Sequence, residues 1–586
     1  MGRVAYSLLG FTVILLGVYL WLQPPSASNE ILFTGGTIVT MEANPTNADA
    51  VLVRDGRIIT VGTLEKAMSA SYSSPEIIDL AGKTLLPGFI EPHTHPLATA
   101  MLGAAIDVSG FQHSSRAQVI ASLKAGIEEG GINGWIMAYG WAPVMLPDLH
   151  APTLHELDEL SPDKPLVILT QMMHDAYANS AALSAAGITS NSEAPSGSEF
   201  VKDEEGNLTG TIREIGAIAE LFKAIPAPPD GAHAFLLSQQ YKKYAKAGYT
   251  TIGILGPVGR AADPIGLIKT IGSKEHSQLR IQIYGLPNQI EGMSAPEDNS
   301  ISTPIIGVKF WMDGSPFAGG AAFAEPYENT PLTSDRLHLA AGHIGATNYT
   351  EKAFQKEFEA YHLKGFQIAV HAQGETAVDR ILDVAETVLK KHPRIDHRHR
   401  LEHNALITES QLKRALALGF TTSFFIDHIS YYGHALPQLV GERSDRYMPI
   451  KTALKVGHKA TVHTDNPATP IDALRAMQTL RMREALTNGA ILGNDEKLSP
   501  IEALEAMTIN AAWQLGLEKD TGSIAVGKSA DFTILSQNPL TTTDSALTNT
   551  TVEGTWLKGQ PVDTRTIEVN TVSLGFNILK NVIMGN

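Results

Sequence analysis

Leu85-Leu86-Pro87-Gly88-Phe89-Ile90-Glu91-Pro92-His93-Thr94-His95-Pro96 decides the fold, because it reads as a buried strand running into two metal-competent histidines. Residues 85–90 are a short apolar run after the polar Ala81-Gly82-Lys83. His93 and His95 lie two apart, so in an extended chain both imidazoles project to one side. Neutral imidazole is a good zinc ligand, and two from one strand end make half of a tetrahedral site. The same spacing also occurs among ordinary surface histidines. Its meaning therefore depends on what the rest of the chain supplies.

Further β-type runs follow at residues 250–255, 279–284, 305–310, 366–371, 400–403, 421–425 and 460–465, separated by helical stretches. With the opening run they describe an α/β protein built on a TIM-like (β/α)8 barrel, whose chemistry sits at the C-terminal strand ends. Such a barrel takes about 250 residues. Residues 97–248 are therefore expected to form an inserted α/β lid after strand one. Within the insert, residues 114–130, 154–160 and 231–247 have helical patterns and residues 135–141 and 165–174 strand patterns. Asn179 caps another helix, and residues 192–210 read as a hairpin.

Both ends of the chain carry short β-type runs, at residues 31–33, 35–40 and 50–62 and again at 531–535 and 552–562, with Asp55-Gly56 as a hairpin signal. The expectation is one small β-sandwich domain composed of residues 30–84 and 520–565. The metal-dependent barrel then occupies residues 85–519, and residues 566–586 form a C-terminal tail.

Arg3 precedes an apolar run over residues 4–22 that Gln23-Pro24-Pro25 breaks. Its length suits a single membrane crossing or a signal-peptide core. Residues 1–29 are accordingly expected to be a membrane anchor or a cleaved signal. With the basic residue on the N-terminal side, the catalytic part is expected on the periplasmic or extracellular side of the membrane. The net charge of −16 argues against nucleic acid, which needs a basic face. No cysteine is present, so any metal must be held by nitrogen and oxygen.

Strand one ends at His93 and His95, strand four carries Lys309, strand five ends at His371, strand six at His403 and strand eight at Asp465. Each alone has an ordinary explanation: a capped histidine, a snorkelling lysine, a turn aspartate. Their recurrence where a barrel converges its strand ends makes them one candidate site.

The motifs Pro87-Gly88-Phe89-Ile90-Glu91-Pro92-His93-Thr94-His95, Lys309-Phe310-Trp311-Met312-Asp313-Gly314-Ser315, His371-Ala372-Gln373-Gly374-Glu375, Leu401-Glu402-His403, Asp465-Asn466-Pro467 and residues 522–531 resemble the amidohydrolase superfamily, in particular its family 3 branch. The likeness spans nearly all of residues 31–562. The family usually has aspartate where this chain has Glu375. The resemblance implies one divalent metal, most simply zinc, on His93, His95 and Asp465. It implies either that ion alone or a second on His371 and His403, with Lys309 bridging as a carbamate. It further implies hydrolysis of a non-peptide C–N bond (amide, N-acyl or N-formyl) by a metal-activated water, with Asp465 as general base. His174 matches a family histidine near the site and is expected either to contact substrate or oxyanion or to make a structural hydrogen bond. Trp141, Arg213, Phe317 and His428 are expected wall residues, His428 as the end of strand seven. Expected partners are a small amide-type substrate, the membrane if residues 4–22 are retained, and a second copy in a homodimer. Lactone or ester hydrolysis on the same site, and an inactive tethered binding protein, are the competing readings.

Overall fold

The computed structural model describes residues 25–566 apart from 43–47, 132–133, 196, 227–229, 260, 274–276 and 297–302. The apolar run at residues 4–22 and the tail from residue 567 lie outside the described residues. Among those described, no helix is long and apolar enough to cross a membrane.

Eight strands form one sheet in the order in which they occur: β1 (Phe89–Thr94), β2 (Tyr249–Leu255), β3 (Arg280–Gly285), β4 (Ile305–Trp311), β5 (Gln367–Ala372), β6 (Arg400–His403), β7 (Thr421–Phe424) and β8 (Thr461–Val462). Every neighbouring pair is parallel. The sheet curls back on itself where the His95 N–H donates to the Asn466 carbonyl at 3.0 Å and the Thr464 N–H donates to the Glu91 carboxylate at 3.2 Å. This is the expected barrel. β1, β2, β6 and β7 are buried at every residue. Strands covered on both faces read as continuous runs of apolar and small residues rather than as alternating ones. Outside them, helix Glu375–Lys391 buries Val378, Ile381, Leu382, Ala385 and Val388, the spacing of one helix face against the sheet.

The opening stretch is two strands rather than one. Thr84–Pro87 belongs to a separate five-stranded sheet and Phe89–Thr94 to the barrel. They meet at Gly88, where a Cβ would lie 2.1 Å from Thr250 Oγ1 on β2. Glycine lets the chain pass that close as it crosses from one sheet to the other. Pairing of β8 stops at Val462, earlier than residues 460–465 predict, and Asp465 turns with φ of +52°.

The five-stranded sheet (Thr37–Ile38, Thr84–Pro87, Phe532–Leu535, Val552–Leu557, Gln560–Pro561) packs on a four-stranded one (Arg57–Gly62, Ala50–Arg54, Glu30–Thr34, Glu76–Asp79). Phe33 meets Phe532 and Trp556 edge-on with ring centroids 5.3 and 5.0 Å apart. Each such contact contributes about 0.5–1.5 kcal/mol beyond area burial. These rings tie the first strands of the chain to the last.

Between β1 and β2 lies a six-stranded sheet, ordered Glu199–Lys202, Leu208–Arg213, Asp175–Ala178, Leu166–Thr170, Ile136–Trp141, Ile106–Asp107. The strand pattern read over residues 165–174 is interrupted. Leu166–Thr170 ends, the chain turns with Met173 at φ of +60°, and Asp175–Ala178 returns antiparallel. His174 sits in that turn, at a reversal rather than a strand end.

Candidate metal centre and active site

β1 delivers two imidazoles to one carboxylate. His93 donates Nδ1–H to Glu402 Oε2 at 2.7 Å, and Glu402 is itself gripped by Arg400 Nε at 2.6 Å. That tautomer leaves His93 Nε2 a bare lone pair, 3.3 Å from Asp465 Oδ1. His95 donates Nδ1–H to the Gly256 carbonyl at 3.3 Å, and its Nε2 lies 3.1 Å from the same oxygen. Asp465 Oδ1 is buried and makes no geometrically sound hydrogen bond. A buried carboxylate oxygen facing the Nε2 atoms of two imidazoles is a set of donors that a divalent cation satisfies. The residues present fit a metal.

Beside this trio, the rings of His371 and His403 lie 4.2 Å apart. His403 Nδ1 is 3.1 Å from His463 Nε2, and His463 Nδ1 is 2.8 Å from Ser423 Oγ. With His403 donating to His463 and His463 to the serine, His403 Nε2 is left bare, and it is buried without a partner. An imidazole anchored through one nitrogen and open at the other is the usual arrangement of a ligand histidine. Lys309 rises from β4 fully buried, its Nζ 3.4 Å from His93 Nε2. It forms no ion pair among the described residues.

Burial, reinforced by the Lys309 charge, holds His93 well below the usual histidine range, and burial does the same for His371, His403 and His463. All four are neutral and ready to ligate. Burial brings Lys309 down to about 8, with Glu402 partly opposing it. Burial alone would raise Asp465, but the His95 contact and neighbouring positive charge outweigh it and keep the carboxyl far below its usual range.

Comparison with known proteins places this geometry. The sequence profile of the amidohydrolase family matches residues 76–563. The chain belongs to the amidohydrolase family. It is 26% identical over 547 residues to the N-substituted formamide deformylase of Arthrobacter pascens, covering 90% of this chain and 97% of that one. It is 27% identical over 538 residues to the protein Long After Far-Red 3 of Arabidopsis thaliana, covering 88% and 89%. An uncharacterized metal-dependent hydrolase from Pyrococcus horikoshii OT3 superposes with a TM-score of 0.69 at 24% identity over 88% of this chain and 99% of the other, a likeness of fold. The amidohydrolase is thus a metal-dependent hydrolase acting on carbon–nitrogen bonds.

Other residues singled out in the sequence fall in different places. In this amidohydrolase His174 is buried at the insert's turn, its ring centroid 5.4 Å from that of His371. Phe317 stacks on Tyr432 at 4.5 Å and meets His428 edge-on at 4.7 Å. His428 does not end β7. It lies in the helix Asp427–Tyr432, because β7 stops at Phe424 and the chain coils at once. Its Nδ1 pairs with Tyr447 Oη at 3.1 Å, its Nε2 is buried without a partner, and burial lowers it to about 3. Trp141 packs in the core of the inserted sheet and donates its indole N–H to the His150 carbonyl at 3.0 Å. Arg213 lies opposite Glu199 and Asp175 in the same sheet, its guanidinium 3.6 Å from Glu199. The structure brings neither Trp141 nor Arg213 into the histidine cluster. Glu375 takes Arg446 at 2.6 Å and stands at the start of its helix, away from the ligands.

Three groups escaped the sequence reading. Glu402, which orients His93, stands two residues after Arg400 on β6, so the strand period puts both on one face. That period was a usable signal. His463, two residues before Asp465, offers a nitrogen within 4.8 Å of those offered by His93 and His403. Tyr139 and Gln171 of the insert reach the loop behind Asp465, donating to the Pro467 carbonyl at 2.8 and 3.0 Å. No sequence signal marks that contact.

Proposed function

We propose that this amidohydrolase cleaves an amide, N-acyl or N-formyl bond of a small molecule, with zinc on His93, His95 and Asp465 and a second ion on His371 and His403. The observation that carries this reading is Asp465 Oδ1, buried, without a hydrogen bond, and shared by two imidazoles at 3.1 and 3.3 Å. A divalent ion there supplies Lewis-acid polarisation of the carbonyl and acidifies a bound water. Asp465, ionised in its buried setting, takes the proton of the attacking water and returns it to the departing nitrogen. Glu402 keeps His93 in the ligating tautomer, and Arg400 opposes the burial that raises the Glu402 carboxyl. Lys309, as a carbamate, would hold both ions. As the neutral amine it adds carbon dioxide and releases one proton, which turns a costly buried cation into an anionic ligand. Arg3 and the apolar run at residues 4–22 support a site of action outside the cytoplasm.

Elemental analysis of the purified chain tests the reading, with Asp465→Ala and Lys309→Ala as controls. N-formyl and N-acetyl alkylamines are assayed beside lactones and esters. Between one and two equivalents of zinc, reduced in both variants, with turnover of the C–N substrates, is the expected result. Metal-free, folded and inactive protein overturns it. Turnover of lactones alone moves the site to the ester class.

A further inference from the structure

His174 is delivered by the insert, and a second insert residue grips it. Glu214 Oε2 accepts the His174 Nδ1–H at 2.7 Å, while the Glu214 N–H donates to the His174 carbonyl at 2.6 Å. The carboxylate therefore binds the ring and the backbone binds the residue that carries it. Glu214 has φ of +64°, a left-handed conformation unfavourable for a residue with a side chain. The turn that carries His174 is left-handed too, with Met173 at +60°.

The far side of the Glu214 carboxylate is received by the barrel. A Cβ on Gly314 would lie 2.1 Å from Glu214 Oε1, and one on Gly320 would lie 2.5 Å from the same atom. Two glycines of the loop after β4 thus leave the space that the carboxylate fills, and the Gly314 N–H donates to the Gly320 carbonyl at 3.1 Å to close that loop. The Gly314 carbonyl is in turn 3.4 Å from His371 Nε2. One short loop links the insert's carboxylate to a candidate metal ligand of the barrel. His174 Nε2 makes no hydrogen bond among the described residues.

We propose that Glu214 is a positioning residue of the reaction. Docked between Gly314 and Gly320, it fixes His174 with Nδ1–H inward and aims Nε2 toward the substrate. The insert is then half of the active site rather than a cover over it. The neighbouring Arg213 ends the strand before it and pairs within the inserted sheet, opposite Asp175 and Glu199. The inference rests on the hydrolase reading for its chemistry, but the pairing itself can be tested without turnover.

The full chain is compared with Glu214→Gln, His174→Gln and the double variant. Glutamine keeps the shape between the glycines and removes the charge, so the fold is preserved. Zinc content and melting temperature are expected to stay at wild-type values. On N-butylformamide and N-butylacetamide, kcat is expected to fall about 10–100-fold in each single variant, the range for second-shell partners. KM changes little, and the double variant is no slower than the slower single one. Wild-type kcat in Glu214→Gln, or losses that multiply in the double variant, overturn the proposal. Metal-free, histidine-labelled protein gives the second readout. A low-field ring N–H resonance, absent in His174→Gln, is expected to move upfield in Glu214→Gln. An unmoved resonance overturns the pairing. If the wild type turns over none of the probes, the hydrolase reading and the kinetic half of the proposal fall together. The resonance then decides by itself whether Glu214 orients His174.

Discussion

Glu402 and His93 meet at 2.7 Å in a pair from which solvent is excluded on both sides. The contact does two jobs. It fixes the tautomer that leaves His93 Nε2 free, and it partners the buried Arg400 guanidinium at 2.6 Å.

Replacing Glu402 by glutamine separates these jobs. The ring loses its anionic acceptor, and zinc affinity is expected to fall about 10–100-fold. Arg400 loses its counter-charge and keeps only Tyr284 Oη and the Pro92 carbonyl, at 3.0 and 3.1 Å. Breaking a buried pair from one side costs about 3–5 kcal/mol, so the melting temperature should drop as well. Zinc competition against a chelator and a thermal melt measure the two effects. Unchanged zinc affinity would sever Glu402 from the metal.

Gly314→Ala asks whether the barrel loop seats Glu214. The added methyl would lie 2.1 Å from Oε1, and the carboxylate must move. Turnover should fall about 10–100-fold with zinc content unchanged, matching Glu214→Gln. Full activity would show that the carboxylate need not sit there.

The barrel and the candidate metal-binding residues on β1, β4, β5 and β6 were legible because each strand is one short run whose period fixes the face of every side chain. Legibility failed where contacts cross between elements far apart in the chain. Gly88 divides one apolar run between two sheets, and only Thr250 on a neighbouring strand shows why. Arg213 was expected in the pocket wall, whereas it is its neighbour Glu214 that meets His174. Trp141 read as a pocket aromatic because a sequence does not distinguish a ring that packs in the insert's core from one that lines a cavity.

Lys309 should make metal loading depend on pH and carbon dioxide. Burial lowers the amine to about 8, so the uncharged form that adds carbon dioxide grows as pH rises through that value. Zinc uptake by stripped protein is expected to reach a second equivalent faster at about pH 8.5 with bicarbonate than at about pH 6.5 without it. Lys309→Ala should lack the dependence. An identical response in the variant removes the carbamate from the account.

Acid should unfold the protein from a second histidine cluster, beside the N-terminal ends of β5 and β6. The Ile368 N–H donates to His399 Nδ1 at 2.9 Å, so His399 Nε2–H donates to His362 Nδ1 at 2.9 Å and His362 Nε2–H to the His392 carbonyl at 2.8 Å. The His399 N–H donates to His397 Nδ1 at 3.0 Å, and His397 Nε2–H to the Leu418 carbonyl at 2.9 Å. Every ring is neutral and fully used. Burial lowers all three, His397 to about 4. The unfolded chain binds protons first, near its own pKa of about 6.5. Stability is therefore complete above about pH 6.5 and declines as pH falls toward 4, by on the order of 3 kcal/mol for His397 alone. Urea unfolding at stepped pH measures the slope, and His397→Gln should flatten it. Equal slopes would place the acid limit elsewhere.

Metal itself should stabilise the fold through Asp465. Folded protein presents His93, His95 and Asp465 together, whereas the unfolded chain disperses them from β1 and the turn after β8. Zinc binding therefore favours the native state by about 2.7 kcal/mol at a hundredfold excess over Kd. Stripped protein titrated with zinc should show a melting temperature that climbs with free metal. Asp465→Asn keeps the size of the side chain but removes the anionic oxygen that both imidazoles face, so its melting temperature should respond weakly or not at all. A variant that climbs as the wild type does would mean that zinc sits on His371 and His403 without the aspartate, and the trio on β1 would lose its claim to the first ion.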